Sequence, residues 1–274
     1  MTMTDEAAPL LVERLPLGVD GASMALVTLN RPKQLNPLDW EMVKELSSLL
    51  PQLAAEASVR VVAITGAGSA FSAGGDMKRY QALQRDPVDF PRFLADVHRL
   101  FSSIAAYPKP YLALVNGVAV AGGLELILAC DIAFAARSAR IGDAHLPFGQ
   151  MGGGGVLSLL PRAVGPQRAR ELVFSGRLLG SDEALAWGLV SKVVDDAELK
   201  EAGMAFAREV AKKSALGVAN AKQVLNSGFL EGTGVPSAMQ LERETTARYC
   251  LTSVDAHEGL QAFAEKRTPR FVGR

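Results

Sequence analysis

A single glutamate stands in an apolar segment directly after a pair of glycines. The segment is LVNGVAVAGGLELILACD, residues 114–131, and Glu125 follows Gly122 by three positions. The pattern predicts a buried strand at 111–115, a glycine-bearing turn and a helix over 122–129. The first N–H groups of a helix have no partner within it and carry partial positive charge, so the N–H of Gly122 can face an anion. A buried carboxylate beside such a donor suits acid/base chemistry at a carbonyl, although a plain α/β connection with a solvent-facing glutamate has the same pattern.

A second glycine pair occurs earlier, in FSAGGDMK at residues 71–78. It follows a predicted strand and a Gly/Ser loop, and Gly74-Gly75 let the backbone approach a ligand closely. Two N–H groups that converge on one oxygen form an oxyanion hole. Taken alone, the pair is equally consistent with an ordinary glycine turn.

Alternating strands and helices must hold these two segments. Up to about residue 195 the alternation predicts an α/β fold with a parallel sheet, and beyond it a helical appendage. We expect a disordered start at residues 1–9 and a glycine-rich irregular loop at 142–155. The predicted strands are 23–30, 59–65, 111–115, 131–136, 139–141 and 189–194. The predicted helices are 38–56, 77–106 with a break near 86–87, 122–129, 156–163, 165–175, 181–187 and 197–265 with a break near 228–235.

Composition narrows the class of protein. The 274 residues are 49% hydrophobic with a formal net charge of +0, which predicts a sizeable core and argues against a nucleic-acid partner or an anionic membrane surface. Cys130 and Cys250 form no disulfide framework, and His98, His145 and His257 have no zinc-ligand spacing, so we expect no metal. The first residues lack the pattern of a signal peptide, and no apolar run reaches the ~18 residues of a membrane helix. These observations favour a cytoplasmic protein without a membrane partner.

Several motifs in this order resemble the crotonase (enoyl-CoA hydratase/isomerase) superfamily, and the resemblance spans about residues 20–272. The resemblance implies a spiral of ββα units over a core at 10–195 and a helical trimerisation region at 196–274, assembled as a homotrimer or a dimer of trimers. The motifs are LNRPKQLNPL (29–38), FSAGGDMK (71–78), VNGVAVAGGLEL (115–126) with the following CDIAFAA, AVGPQRARELVFSGRLLGSDEALAWGLVSKVV (163–194) and EKRTPRF (265–271).

The resemblance also implies a substrate and a set of contacts. The substrate would be an acyl-CoA whose thioester oxygen lies between the N–H groups of Gly75 and Gly122, with Glu125 as the acid/base group. Coenzyme A enters as part of the substrate, and no metal or redox cofactor is implied. The implied contacts with coenzyme A are Lys33, Ala73, Asp76, Met77, Lys266 and Phe271, the last two contributed in some relatives by a neighbouring subunit.

At one position the chain departs from the hydratase pattern. Hydratases of this family use two glutamates, and the second falls at His145, with Gly153 where a glycine lies near the catalytic water. Imidazole titrates near neutral pH, so His145 can take over the proton transfer. Asp143 is too near in sequence to be assumed its partner, although it can orient the ring.

Three other functions remain open beside the favoured hydratase. Glu125 alone can shuttle a proton in a double-bond isomerase, with His145 merely lining the pocket. His145 can activate water in an acyl-CoA or β-diketone hydrolase, although the Asp that such relatives use further on is replaced by glycines 152–155. A CoA-binding protein without turnover is the non-enzymatic alternative. Candidates for an apolar acyl pocket are Met77, Leu146, Phe148 and Met151.

Overall fold

The computed structural model describes residues 8–19 and 21–274. The predicted disordered start at residues 1–9 lies outside this range except for its last two residues. The strands are β1 (Leu10–Pro16), β2 (Ser23–Leu29), β3 (Val59–Gly66), β4 (Ala70–Ser72), β5 (Tyr111–Val115), β6 (Val118–Val120), β7 (Ile132–Ala136), β8 (Arg140–Gly142), β9 (Leu179–Gly180) and β10 (Lys192–Val194). The helices are α1 (Trp40–Ala55), α2 (Met77–Leu83), α3 (Asp89–Ala106), α4 (Gly122–Ala129), α5 (Val156–Val164), α6 (Pro166–Ser175), α7 (Ser181–Trp187), α8 (Leu199–Ala211), α9 (Ala215–Phe229), α10 (Val235–Thr252) and α11 (Val254–Ala264).

The strands form two sheets. One has six strands in the order β1-β2-β3-β5-β7-β10, and the other has four in the order β4-β6-β8-β9. Pairing is parallel throughout except at β1 with β2 and β8 with β9. The predicted parallel α/β architecture is therefore confirmed.

A repeated ββα unit builds both sheets at once. In three successive units the first strand (β3, β5, β7) joins the large sheet and the second (β4, β6, β8) joins the small one. A helix follows each pair, so the chain winds as the predicted spiral. This winding brings the ends of β4 and β6 together, and both glycine pairs follow these strands.

The large sheet is covered on both faces, which explains its nearly uninterrupted apolar strands. On one face β3 and β5 pack with α1, α3 and α4 in the main core. On the other face α8 packs through Leu199, Met204 and Ala207 against Leu112 and Leu114 of β5.

Several features differ from the sequence-based expectations, among them the two-residue strand β9, for which no element was predicted. Residues 10–16 form β1, an antiparallel edge strand for which no element was predicted. The Gly/Ser loop that the sequence predicted after the strand at 59–65 contains β4, and the predicted turn after β5 contains β6. These strands have three residues each, too few for a periodic pattern, and pair only with partners distant in sequence. The predicted strand at 189–194 is confined to Lys192–Val194.

The predicted helical region after residue 195 consists of α8 to α11. Lys222 of α9 anchors it to the core, because its buried ammonium donates to the Asp131 carboxylate over 2.7 Å and to the carbonyls of Ile104 and Lys109. Large apolar side chains are exposed along α9 to α11, namely Leu225, Phe229, Val235, Met239, Leu251, Val254, Leu260 and Phe263.

Candidate active site

The two glycine segments lie directly against each other at the ends of β4 and β6. A Cβ on Gly74 would stand 2.8 Å from the Cβ of Ala121 and 3.1 Å from the nitrogen of Gly122, and Gly74 has φ +84°. A side chain at this position would therefore force the two segments apart. Ala121 itself has φ +51°, a conformation that L-residues rarely adopt. The chain thus keeps this close approach at the cost of local strain.

A buried asparagine supports the first glycine segment from behind. Asn36 is fully buried at φ +55° and donates its amide to the carbonyls of Ala67 and Ala70. The flanking backbone then pairs with the glycine segment, since the N–H of Leu38 donates to the carbonyl of Gly74 over 2.7 Å. The loop at 31–38 therefore fixes the position of Gly74-Gly75.

Glu125 lies in the first turn of α4 and is only 4% exposed. Its Oε1 accepts the N–H of Gly154 over 2.7 Å and, more weakly, that of Val156 over 3.4 Å. Burial raises the pKa of Glu125; the charge of His145 and these two hydrogen bonds oppose the rise but do not cancel it. A carboxyl whose pKa is raised by burial gives up its proton less readily than an exposed one, so it can act as an acid as well as a base.

His145 is paired with the buried carboxylate of Asp143. Nδ1 of His145 lies 2.7 Å from Oδ1 of Asp143, which is 1% exposed. Burial lowers the pKa of His145. The hydrogen bond and charge of Asp143, together with the charge of Glu125, raise that pKa by more than burial lowers it, so the net shift is upward. The question that the sequence left open is thereby answered: Asp143 contacts the ring.

Glu125 and His145 flank the same glycine. A Cβ on Gly152 would stand 3.0 Å from Oε1 of Glu125 and 3.2 Å from Cε1 of His145. Oε1 of Glu125 and Cε1 of His145 are therefore no farther apart than the sum of these two distances. Both side chains can reach one small molecule, or one pair of bonded atoms, that lies between them.

A mostly apolar cavity of about 110 Å³ joins these groups. Gly75, Gly122, Glu125, His145 and Gly153 all line it. Within residues 8–19 and 21–274, neither the N–H of Gly75 nor that of Gly122 donates a hydrogen bond. The remaining walls are largely apolar and include Tyr80, Phe93, Leu94, Val97, Phe101, Phe148 and Met151.

Not all of the residues predicted to contact coenzyme A lie at this cavity. Ala73 and Met77 line it, and Asp76 lies beside it, where its side chain caps α2 by accepting the N–H groups of residues 78 and 79. Lys33 is exposed in the loop before α1 and is not part of the wall. Lys266 is exposed on the C-terminal segment, and Phe271 lines a separate cavity against Gly259.

Of the four acyl-pocket candidates, Met77, Phe148 and Met151 line the cavity, whereas Leu146 does not. Two residues of the site were not predicted from the sequence. They are Gly154, whose N–H donates to Glu125, and Tyr80, whose ring packs edge-on against Phe90 with centroids 5.5 Å apart. Gly154 belongs to the run of four glycines, which is visible in the sequence, whereas no local sequence pattern indicates Tyr80.

Comparison with known proteins decides the family. A model of the enoyl-CoA hydratase/isomerase family matches residues 20–274. The chain belongs to this family. It is similar to the 1,2-epoxyphenylacetyl-CoA isomerase of Escherichia coli K12, with 35% identity over 90% of this chain and 94% of that protein. It is also similar to the crotonyl-CoA hydratase of Syntrophomonas wolfei, with 33% identity over 92% of this chain and 95% of that protein.

A solved structure agrees with this assignment. The crystal structure of an enoyl-CoA hydratase from Bacillus anthracis matches with a TM-score of 0.88 and 32% identity, covering 97% of this chain and all of that one. The fold is therefore the crotonase fold, and the chain is an enzyme of the enoyl-CoA hydratase/isomerase type. No helix among the described residues has the length and apolar character needed to cross a membrane. Nor does this part of the chain bring together three side chains suited to holding a metal ion.

Proposed function

We propose that this family member is an enoyl-CoA hydratase, which adds water across the 2,3-double bond of an enoyl-CoA. One observation carries the proposal: two titratable side chains, Glu125 and His145, flank Gly152 in the cavity that Gly75 and Gly122 also line. Hydration needs both a base for water and an acid for carbon, and two separately held groups can supply them.

The thioester oxygen lies between the N–H groups of Gly75 and Gly122. As water adds to C3, negative charge moves through C2 to this oxygen and forms an enolate. Donors already in place stabilise that charge without having to reorganise, and the low polarity of the surrounding wall strengthens the effect.

Glu125 and His145 move the protons. The carboxylate of Glu125 takes one proton from water while the oxygen bonds to C3, and the imidazolium of His145 gives its Nε2 proton to C2 of the enolate. The product carries a hydroxyl on C3 and a new hydrogen on C2. The proton on Glu125 then returns to His145 through water in the cavity, which restores both groups.

Coenzyme A is held as part of the substrate. Ala73, Asp76 and Met77 contact it at the edge of the cavity, and Lys33 faces a phosphate from the neighbouring loop. Lys266 and Phe271 act from a second copy of the chain, since within one chain they lie away from the cavity. The exposed apolar residues of α9 to α11 support assembly into a homotrimer or a dimer of trimers. Light scattering that gives a monomer at micromolar concentration would contradict this assembly.

A second candidate function follows from the Asp143–His145 pair. A histidine held by a carboxylate is an arrangement that activates water for attack on a carbonyl. Such a hydrolase would release free coenzyme A, whereas a hydratase keeps the thioester intact.

The test follows both products at once. Crotonyl-CoA and a longer enoyl-CoA are incubated with the protein while absorbance reports the conjugated enoyl thioester and a thiol reagent reports free coenzyme A. Loss of the enoyl band without thiol release supports the hydratase, and mass spectrometry then shows one added water. Thiol release supports the hydrolase. If neither signal changes but a 3-enoyl-CoA acquires the conjugated band, the protein is an isomerase and the proposal is wrong.

A further inference from the structure

The carboxylate of Asp143 is nearly inaccessible to solvent, yet it has little to compensate its burial. Its only side-chain hydrogen bond within the described residues is the one to Nδ1 of His145. Burying a carboxylate with a single partner lowers the stability of the protein unless that partner donates a hydrogen bond to it. Nδ1 must therefore carry a hydrogen, which leaves Nε2 as the variable nitrogen of the ring.

The backbone of the segment that carries Asp143 and His145 has a conformation that brings the two side chains together. Ala144, between the two residues, has φ +49°, which interrupts the extended backbone directly after β8. The carbonyls of Gly142 and Asp143 accept the N–H of Ala121, the latter over 3.0 Å. Because Ala121 immediately precedes Gly122, residue 143 is tied to both parts of the site, by its side chain to His145 and by its backbone to the glycine segment.

We propose that Asp143 is a positioning residue, which holds Nδ1–H of His145 so that Nε2 is the atom that exchanges a proton with the substrate. The identity of the substrate in this inference rests on the proposed function, whereas the contact between Asp143 and Nδ1 and the resulting tautomer of His145 do not. Nε2 has no hydrogen-bond partner in residues 8–19 and 21–274, and the ring lines the cavity. The charged groups that act on the ring are Asp143 and Glu125.

Two consequences separate this role from a purely structural one. An amide at position 143 has no negative charge and can present its own N–H to Nδ1, which favours the wrong tautomer. Asp143→Asn should therefore lower kcat by about 10-fold or more, a moderate part of what general acid–base catalysis contributes. It should also move the basic limb of the pH profile to lower pH, because the raised pKa of His145 depends on Asp143.

The experiment is a double-mutant cycle with Asp143→Asn, His145→Gln and the double variant, each checked by thermal unfolding to be fully folded at the assay temperature. Asp195→Asn is the matched control, since that exposed carboxylate pairs with Arg137 away from the cavity. If Asp143 acts through His145, it has no further effect in the His145→Gln background. Equal losses in both backgrounds, or an unmoved basic limb, would overturn the inference. A wild type that consumes no enoyl-CoA would instead overturn the proposed function.

A measurement on the wild type needs neither activity nor the stability of a variant. Histidine labelled with nitrogen-15 reports by NMR which ring nitrogen is protonated, and loss of one signal set in His145→Gln assigns it. Above the pKa of His145 we expect Nδ1 protonated and Nε2 bare. The opposite tautomer would refute the positioning role.

Discussion

The N–H of Gly154 donates to Oε1 of Glu125 over 2.7 Å, across 29 residues of sequence. The bond joins the first turn of α4 to the glycine run before α5. It leaves Oε2 of Glu125 without a hydrogen bond in the described part of the chain. The glycine run therefore determines which oxygen of Glu125 is held by the protein backbone.

Replacing Glu125 by glutamine should lower turnover of enoyl-CoA by at least ~10²-fold, because the amide cannot take a proton from water. The melting temperature should not fall, since the variant keeps the carbonyl that accepts the N–H of Gly154 and loses a buried charge. Steady-state kinetics and thermal unfolding measure the two effects. Undiminished turnover would show that Glu125 is not the base.

Gly154→Ala should impair catalysis by displacing Glu125. The added methyl would stand 2.7 Å from Oε2 of Glu125 and 2.7 Å from Cε2 of Phe101. We expect kcat to fall about 10-fold or more and the free energy of unfolding to fall by about 1–3 kcal/mol, as in other overpacked cores. Gly228→Ala is the control, because its nearest neighbour would be the Cβ of Ala238 at 3.9 Å. Full activity in Gly154→Ala would show that the position of Glu125 is not critical.

The pH profile of kcat/KM, which reports the groups of the free enzyme, should be bell-shaped. The carboxylate of Glu125 must be ionised to take a proton, so the rate rises as pH rises through its raised pKa. The imidazolium of His145 must be protonated to give one, so the rate falls as pH rises through its own raised pKa. Since the two groups interact, the limbs report the pair, and both should lie above the usual carboxyl and imidazole values. A profile with a single limb would leave only one working group.

Lys222→Met should destabilise the protein by about 1–3 kcal/mol, because the buried Lys222 no longer donates to Asp131, whose side chain is 18% exposed, or to the carbonyls of Ile104 and Lys109. Chemical denaturation measures the change. Lys212→Met is a suitable control, since that lysine pairs with Glu209 at an exposed site and should have little effect. If the two variants were equally stable, α9 would not depend on this ion pair.

The sequence revealed the long elements of the fold but not the contacts that assemble the site. The strands β3 and β5 and the helix α1 have apolar patterns that can be recognised locally. By contrast, β4 and β6 are three-residue strands that are held by pairing with each other and, for β6, also with β8. Their apposition places Gly74 against Gly122, and it could be anticipated only through the resemblance to a known family.

The candidate residues show the same limit. The isolated acidic position marked Glu125, but nothing local showed that its N–H partners lie in the glycine run at 152–155. The two-residue spacing of Asp143 and His145 is visible in the sequence, whereas the left-handed turn at Ala144 is not. Spacing along the chain therefore suggests a contact, but only the backbone conformation between the residues makes it.

Ala121 adopts φ +51° at the start of α4, where glycine would be relaxed. A non-glycine residue in such a region costs of order 1 kcal/mol, and the chain retains that cost beside the backbone donor proposed to hold the substrate. Ala121→Gly would remove the strain but would also free the hinge that aims Gly122. Selection of variants for thermal tolerance alone would therefore favour Ala121→Gly, a substitution that raises heat resistance while making the backbone beside Gly122 less rigid.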